Sequence, residues 1–192
     1  MSGKNLVLKT SLSVNNQTFE QVQHVSKKAV VSLVMGKVLV YFPQHDSNFL
    51  VDITNKKLIK IDISNQLAQV SQTRPLLGAF SFDTTQQPKE IAGLTSKCII
   101  VNSHATSPIK ISADIYYAAH AGLAETAWPV FVAYEQRTRF FALDLSPDNL
   151  ITYIHIETVL SGTVQNQTVE LISLENTATL QEGEEYMNYP LN

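Results

Sequence analysis

The chain has one cysteine, Cys98, so no disulfide can form within it. Cys98 sits in the apolar run KCIIV and reads as a small buried hydrophobe rather than a nucleophile. No Cys/His spacing fits a metal site. There is no Gly-rich phosphate loop, nucleophile elbow or zinc motif. Any chemistry is therefore expected to run without a metal, nucleotide or other cofactor. Charge is sparse too: 16% of residues are charged, where about 25% is usual in soluble domains. The net charge is −3, and the lysines gather no more densely than the pairs Lys27-Lys28 and Lys56-Lys57. A phosphate-binding surface needs clustered Lys and Arg, so a nucleic-acid partner is excluded. No apolar run reaches the roughly 18 residues of a membrane span. The N-terminal MSGKNLVLKTSL lacks the charged region and long apolar core of an export signal. A cytoplasmic location is expected for the chain as it stands, and a periplasmic one if a leader has been removed.

What is present is alternation. In SNFLVDITNKKLIKIDI, from Ser47 to Ile63, two apolar/polar runs flank a polar turn at Thr54-Asn55-Lys56-Lys57, the pattern of a β-hairpin with one wet face. Phe49, Val51 and Ile53 are expected on one face with Ile59, Ile61 and Ile63. Leu50, Asp52, Leu58, Lys60 and Asp62 fall on the other. The same period of two recurs at Asn5–Val14, Thr18–Val25, Ala29–Met35 and Lys37–Phe42, with Gly36 as a bulge or bend. It recurs at Ala79–Phe82, at Glu90–Asn102 interrupted by Gly93, and at Pro108–Ala118. Arg137–Leu145, Leu150–Leu160 and Val164–Leu174 complete the count at roughly ten strands. Helices are expected at Asn65–Thr73, capped by Ser64 and ended by Pro75, and at Pro129–Glu135, where proline fits the first turn.

The chain of 192 residues reads as one domain, with a body at 5–175 and a solvated tail at 176–192. The expected fold is mainly β. A single antiparallel sheet is bent into a half-barrel, with the two short helices in its concave face.

The hairpin around Asp52, Lys56 and Lys57, a helix, and then Ile91-Ala92-Gly93 leading to Cys98 in a strand resemble the LolA-like half-barrel proteins. ITYIHIETVLSGTVQNQTV is similar to that family's last hairpin. The resemblance is structural and covers about residues 5–175. It implies a half-barrel of about eleven strands around a hydrophobic cavity for acyl chains or other lipidic ligands, in proteins that are mostly exported. Two features depart from the pattern. The export signal is absent, and the single tryptophan is Trp128, with Tyr116 at roughly the place where relatives often have one.

Two functions follow. One is binding of a hydrophobic small molecule in the cavity, lined by Phe49, Val51, Ile59, Ile61, Tyr116, Trp128 and Phe131. The other is a cofactor-free enzyme of specialised metabolism, performing cyclisation or carbon–carbon bond formation by acid–base catalysis in the same cavity. The candidate acid–base groups are Tyr153, His155 and Glu157, which share one face of their strand. Asp46 in the His45-Asp46 loop and Asp144 are further candidates. The competing reading of His155 is a solvated face, with Ile154 and Ile156 turned to the core. His120 is a possible gate before the Trp128 helix. His24 and His104 have no supporting neighbours.

Overall fold

The computed structural model describes residues 5–61, 80–84, 87–104, 106, 109–132, 145–177 and 184–191. The strands are β1 (Asn5–Val14), β2 (Gln17–Val25), β3 (Val30–Val34), β4 (Lys37–Phe42), β5 (Ser47–Asp52) and β6 (Lys57–Ile61). They continue with β7 (Phe80–Asp83), β8 (Lys89–Ile91), β9 (Leu94–Ser103), β10 (Lys110–Ala119), β11 (Asn149–Leu160) and β12 (Thr163–Thr177). All belong to one open antiparallel sheet of twelve strands, ordered β6-β5-β4-β3-β2-β1-β12-β11-β10-β9-β7, with β8 pairing only with β9. The sheet is two meanders joined in the middle, where the first strand pairs with the last from Asn5↔Thr177 to Val14↔Gln167.

Tight turns dominate because the sequence supplies residues for them. The Asn15-Asn16, Met35-Gly36, Ala92-Gly93 and Ser161-Gly162 pairs all have positive φ at both positions. Two-residue hairpin turns of this hand match the twist of the flanking strands. Gly36 is the bend of the two alternatives, as half of the β3–β4 turn. One expectation changes: Gly93 separates two strands, β8 and β9, instead of interrupting one.

The hairpin forms from Ser47 to Ile61, with a register different from the expected one; Asp62 and Ile63 lie outside the described residues. Its turn is residues 53–56, and Val51 stands opposite Leu58, Leu50 opposite Ile59 and Asn48 opposite Ile61. The Asp52 carboxylate accepts bonds from the side-chain amide of Asn55 (2.8 Å) and its backbone N–H (3.0 Å). Those bonds hold the Asp52 carboxyl below its ordinary range and end the strand one residue early. Ile53 falls into the turn, 55% exposed. A one-residue shift turns every later side chain to the other face. Phe49, Val51 and Leu58 are therefore buried together, while Ile59 is 43% exposed. Leu58→Ala should cost about 2–5 kcal/mol and Ile59→Ala less than about 1 kcal/mol. Denaturant midpoints of the two variants check this, and the reverse order would contradict the register.

One face of the sheet, called inner here, packs on the helix at 128–132. Leu6, Leu8, Val25, Val30, Tyr41 and Leu171 gather there with Leu123, Trp128 and Phe131. The helix begins where Thr126 ends a short turn. Its hydroxyl donates to the Leu123 carbonyl (2.6 Å) and accepts from the Trp128 backbone N–H (3.1 Å). Pro129 takes the first turn, as expected.

On the opposite, outer face, the β3–β6 region carries Val31, Val38, Val40, Phe49, Val51 and Leu58. This apolar surface is covered by the C-terminal segment, which corrects the expectation of a solvated tail. Tyr186 and Tyr189 pack against it with rings 5.5 Å apart, the Leu58 backbone N–H donates to the Pro190 carbonyl (3.0 Å), and Leu191 bridges Leu58 in parallel. The expected helix at Asn65–Thr73, the expected strand at Arg137–Leu145 and Asp144 lie outside the described residues.

Candidate functional site

Because residues directly opposite in neighbouring strands share a face, register assigns each candidate to a side. Tyr41 packs in the cluster that holds Trp128. It stands opposite Asn48, which stands opposite Ile61. The next row on this face is Leu39, Leu50 and Ile59. Ile59 and Ile61 are thus on the inner face with Trp128 and Phe131, as expected. Phe49 and Val51 are not: the shifted turn puts them on the outer face under the C-terminal segment. Tyr41, Leu39 and Leu50 take their place, three residues that the expected register had turned away or left unassigned.

The inner cluster is almost wholly apolar. Trp128 is 2% exposed, and its ring lies 4.9 Å from that of Phe131 at an interplanar angle of 31°. The indole Nε1–H is buried and has no hydrogen-bond partner among the described residues, and the same holds for Nδ1 of His120 on the same segment. Buried donors almost always find acceptors, so this indole N–H is an exception among the described residues. The phenol of Tyr41, also in this cluster, is used: it donates to Oδ1 of Asp46 (3.1 Å) at the end of the sheet. Asp46 itself is exposed, with left-handed backbone (φ 47) closing the Pro43–His45 turn.

The acid–base candidates are on the other side. Ile154 stands opposite Val169, and Val169 opposite Leu12. Leu12 shares the β1 face of Leu6 and Leu8 by alternation. Ile154 and Ile156 therefore point to the inner face, where they pack with Val101, Ala113 and Ile115. Tyr153, His155 and Glu157 point outward. His155 Nδ1 is 3.0 Å from the Thr168 hydroxyl. His155 and Glu157 enter an open polar cleft of about 530 Å³ beside the β1–β2 turn. Tyr153 and His155 are half-buried and Glu157 is exposed, on the face opposite Ile154 and Ile156.

Tyr116 is buried opposite Cys98 and Tyr153 in the neighbouring strands, beside a register shift between Tyr116 and Tyr117, and packs with Ile91 and Cys98. Its ring meets that of Tyr153 edge-on at 5.7 Å, and Lys89 Nζ lies 5.0 Å and 5.7 Å from the two ring centres. Burial pushes the Tyr116 phenol and the Cys98 thiol above their ordinary ranges. Cys98 is 2% exposed, the small buried hydrophobe expected from its apolar run.

No helix among the described residues is long and apolar enough to cross a membrane. No protein-family model matches the chain, and no curated protein matches it in sequence. Solved structures do. The chain is similar to PNGF-II, with 12% identity and a TM-score of 0.47 over 98% of this chain and 30% of that one. It is similar to MucB, solved in complex with MucA(peri), with 9% identity and a TM-score of 0.47 over 95% of this chain and 55% of that one. It is also similar to an outer membrane lipoprotein-sorting protein domain from Vibrio parahaemolyticus, with 8% identity and a TM-score of 0.41 over 96% of this chain and 90% of that one. The chain thus spans under a third of PNGF-II and about half of MucB.

Proposed function

We propose that this protein binds a hydrophobic small molecule carrying a hydrogen-bond acceptor, on the inner face of the sheet beside the helix at 128–132. The observation that carries this reading is the Trp128 indole N–H, buried in an apolar cluster without a partner among the described residues. Leaving such a donor unpaired costs about 1–3 kcal/mol, and a ligand carbonyl or carboxylate would recover it. Leu39, Leu50 and Ile61, half-buried on the same face, offer apolar surface for the rest of the molecule. Residues proposed to meet the ligand are Tyr41, Leu50, Ile59, Ile61, Trp128 and Phe131. No observation favours a reaction at this face over binding, since Tyr153, His155 and Glu157 lie on the other.

Trp128 is the sole tryptophan, so its fluorescence reports on this site alone. Titration with a dansyl-labelled fatty acid should give saturable energy transfer from Trp128. Transfer should be suppressed by unlabelled long-chain fatty acid. Ile61→Lys, which puts an ammonium among the apolar contacts, should weaken the binding at least about tenfold. A titration without saturable transfer, or one indifferent to Ile61→Lys, would overturn the reading.

A further inference from the structure

We propose that the polar cleft on the outer face, beside the β1–β2 turn, is a binding site for a saccharide, separate from the apolar inner face. Its volume of about 530 Å³ is that of an ordinary small-molecule site, ~300–1,000 Å³. Its lining is not ordinary: all eight residues are Ser, Thr, Asn, His or Glu. An apolar ligand finds no contact surface there. An anion finds no Lys or Arg in the lining and is repelled by Glu157. A bare divalent cation requires several oxygen ligands with charge, and Glu157 is the one carboxylate among the eight. The ligand that fits mixed donors and acceptors with little net charge is an uncharged molecule dense in hydroxyl groups.

The walls are held in place before any ligand arrives. Asn15 and Asn16 form the turn with φ of 47° and 69°. The turn is tied to β12 twice: the Asn15 N–H donates to the Asn166 carbonyl (3.0 Å), and the Asn166 N–H donates to the Asn15 side-chain oxygen (3.1 Å). Ser13 and Thr18 hydroxyls bond across β1 and β2 at 2.8 Å, and His155 Nδ1 is fixed by Thr168. These bonds leave the side-chain amides of Asn16 and Asn166, the Glu157 carboxylate and His155 Nε2 to face a ligand. Preorganised donors and acceptors of this kind lower the entropy lost on binding. Cleavage is not inferred, because hydrolysis of a glycosidic bond generally employs two carboxylates and the lining has one.

The test is a set of ¹H–¹⁵N spectra of the intact protein with glucose, galactose, N-acetylglucosamine and their disaccharides at about 10 mM, well above a millimolar Kd. At least one sugar should give saturable shifts confined to the amides of Asn15, Asn16, His155 and Asn166. Glu157→Gln and Asn166→Ala, both at exposed positions, should each weaken that binding about tenfold or less, the worth of one hydrogen bond. Absence of saturable shifts with every sugar, shifts elsewhere on the molecule, or indifference to both substitutions would overturn the proposal. Energy transfer from Trp128 to the apolar probe, measured on the same samples, reports on the other face, so failure of one site is distinguishable from failure of the other.

Discussion

Trp128→Ala should be among the most damaging single substitutions in this protein, lowering stability by about 3–5 kcal/mol. The indole is 2% exposed and packs with Phe131 and Leu123 against residues of six strands, β1 to β4 plus β11 and β12. Alanine would leave a cavity at the point where both meanders meet the helix. For a domain of this size the loss corresponds to a fall in melting temperature of about 10 °C or more. Trp128→Phe fills most of the volume and removes the unpaired N–H, so its melting temperature should change far less. Thermal unfolding of the two variants checks the pair. A Trp128→Ala variant as stable as the parent would mean that the helix is not part of the core.

The second large effect is expected from the C-terminus. A chain ending at residue 183 would lose Tyr186 and Tyr189 from the outer apolar face, together with the bond from Leu58 to Pro190. Two half-buried tyrosines and one backbone hydrogen bond are together worth about 3 kcal/mol. The truncation would also bare Phe49, Val51 and Leu58, each at most 6% exposed in the intact chain, beside β6, an edge strand of the sheet among the described residues. Exposed apolar surface next to a free strand edge promotes pairing between chains. Sedimentation at two concentrations should show association of the truncated protein and not of the parent. A monomeric truncation with an unchanged melting temperature would contradict this role for Tyr186 and Tyr189.

Much of the fold is legible in the sequence, and the places where reading fails have physical causes. Alternation locates the strands because one face of each is buried. It also puts Ile154 and Ile156 on one face, where they pack with Val101, Ala113 and Ile115, and His155 on the other. Alternation does not locate the turn between β5 and β6. Ile53 continues the apolar pattern of Phe49 and Val51, yet Asp52 ends the strand by binding Asn55. That single residue decides which of Phe49 and Ile59 faces Trp128. Ala92 gives no sign of the left-handed conformation it adopts (φ 50), so Ile91-Ala92-Gly93 reads as an interrupted strand when it is a hairpin. Glu182, Glu184 and Glu185 make the C-terminus look solvated, and only the tertiary structure shows that Tyr186 and Tyr189 have an apolar face to cover.

The polar cleft was equally out of reach. His155 and Glu157 are visible as a co-facial pair, but Asn15 and Asn16 join them only because β1 pairs with β12 across almost the whole length of the chain. Nothing local in NNQT or QNQT announces that the β1–β2 turn meets β12.

A hydrophobic ligand on the inner face, with its acceptor on the Trp128 indole as proposed, would act on one N–H. A single tryptophan gives a single indole N–H resonance, and its position in a ¹H–¹⁵N spectrum during titration with a long-chain fatty acid tests the claim directly. Saturable downfield movement of that resonance, as the N–H gains an acceptor, is the predicted result. A resonance that stays in place while the fatty acid binds, or a fatty acid that does not bind, would contradict it.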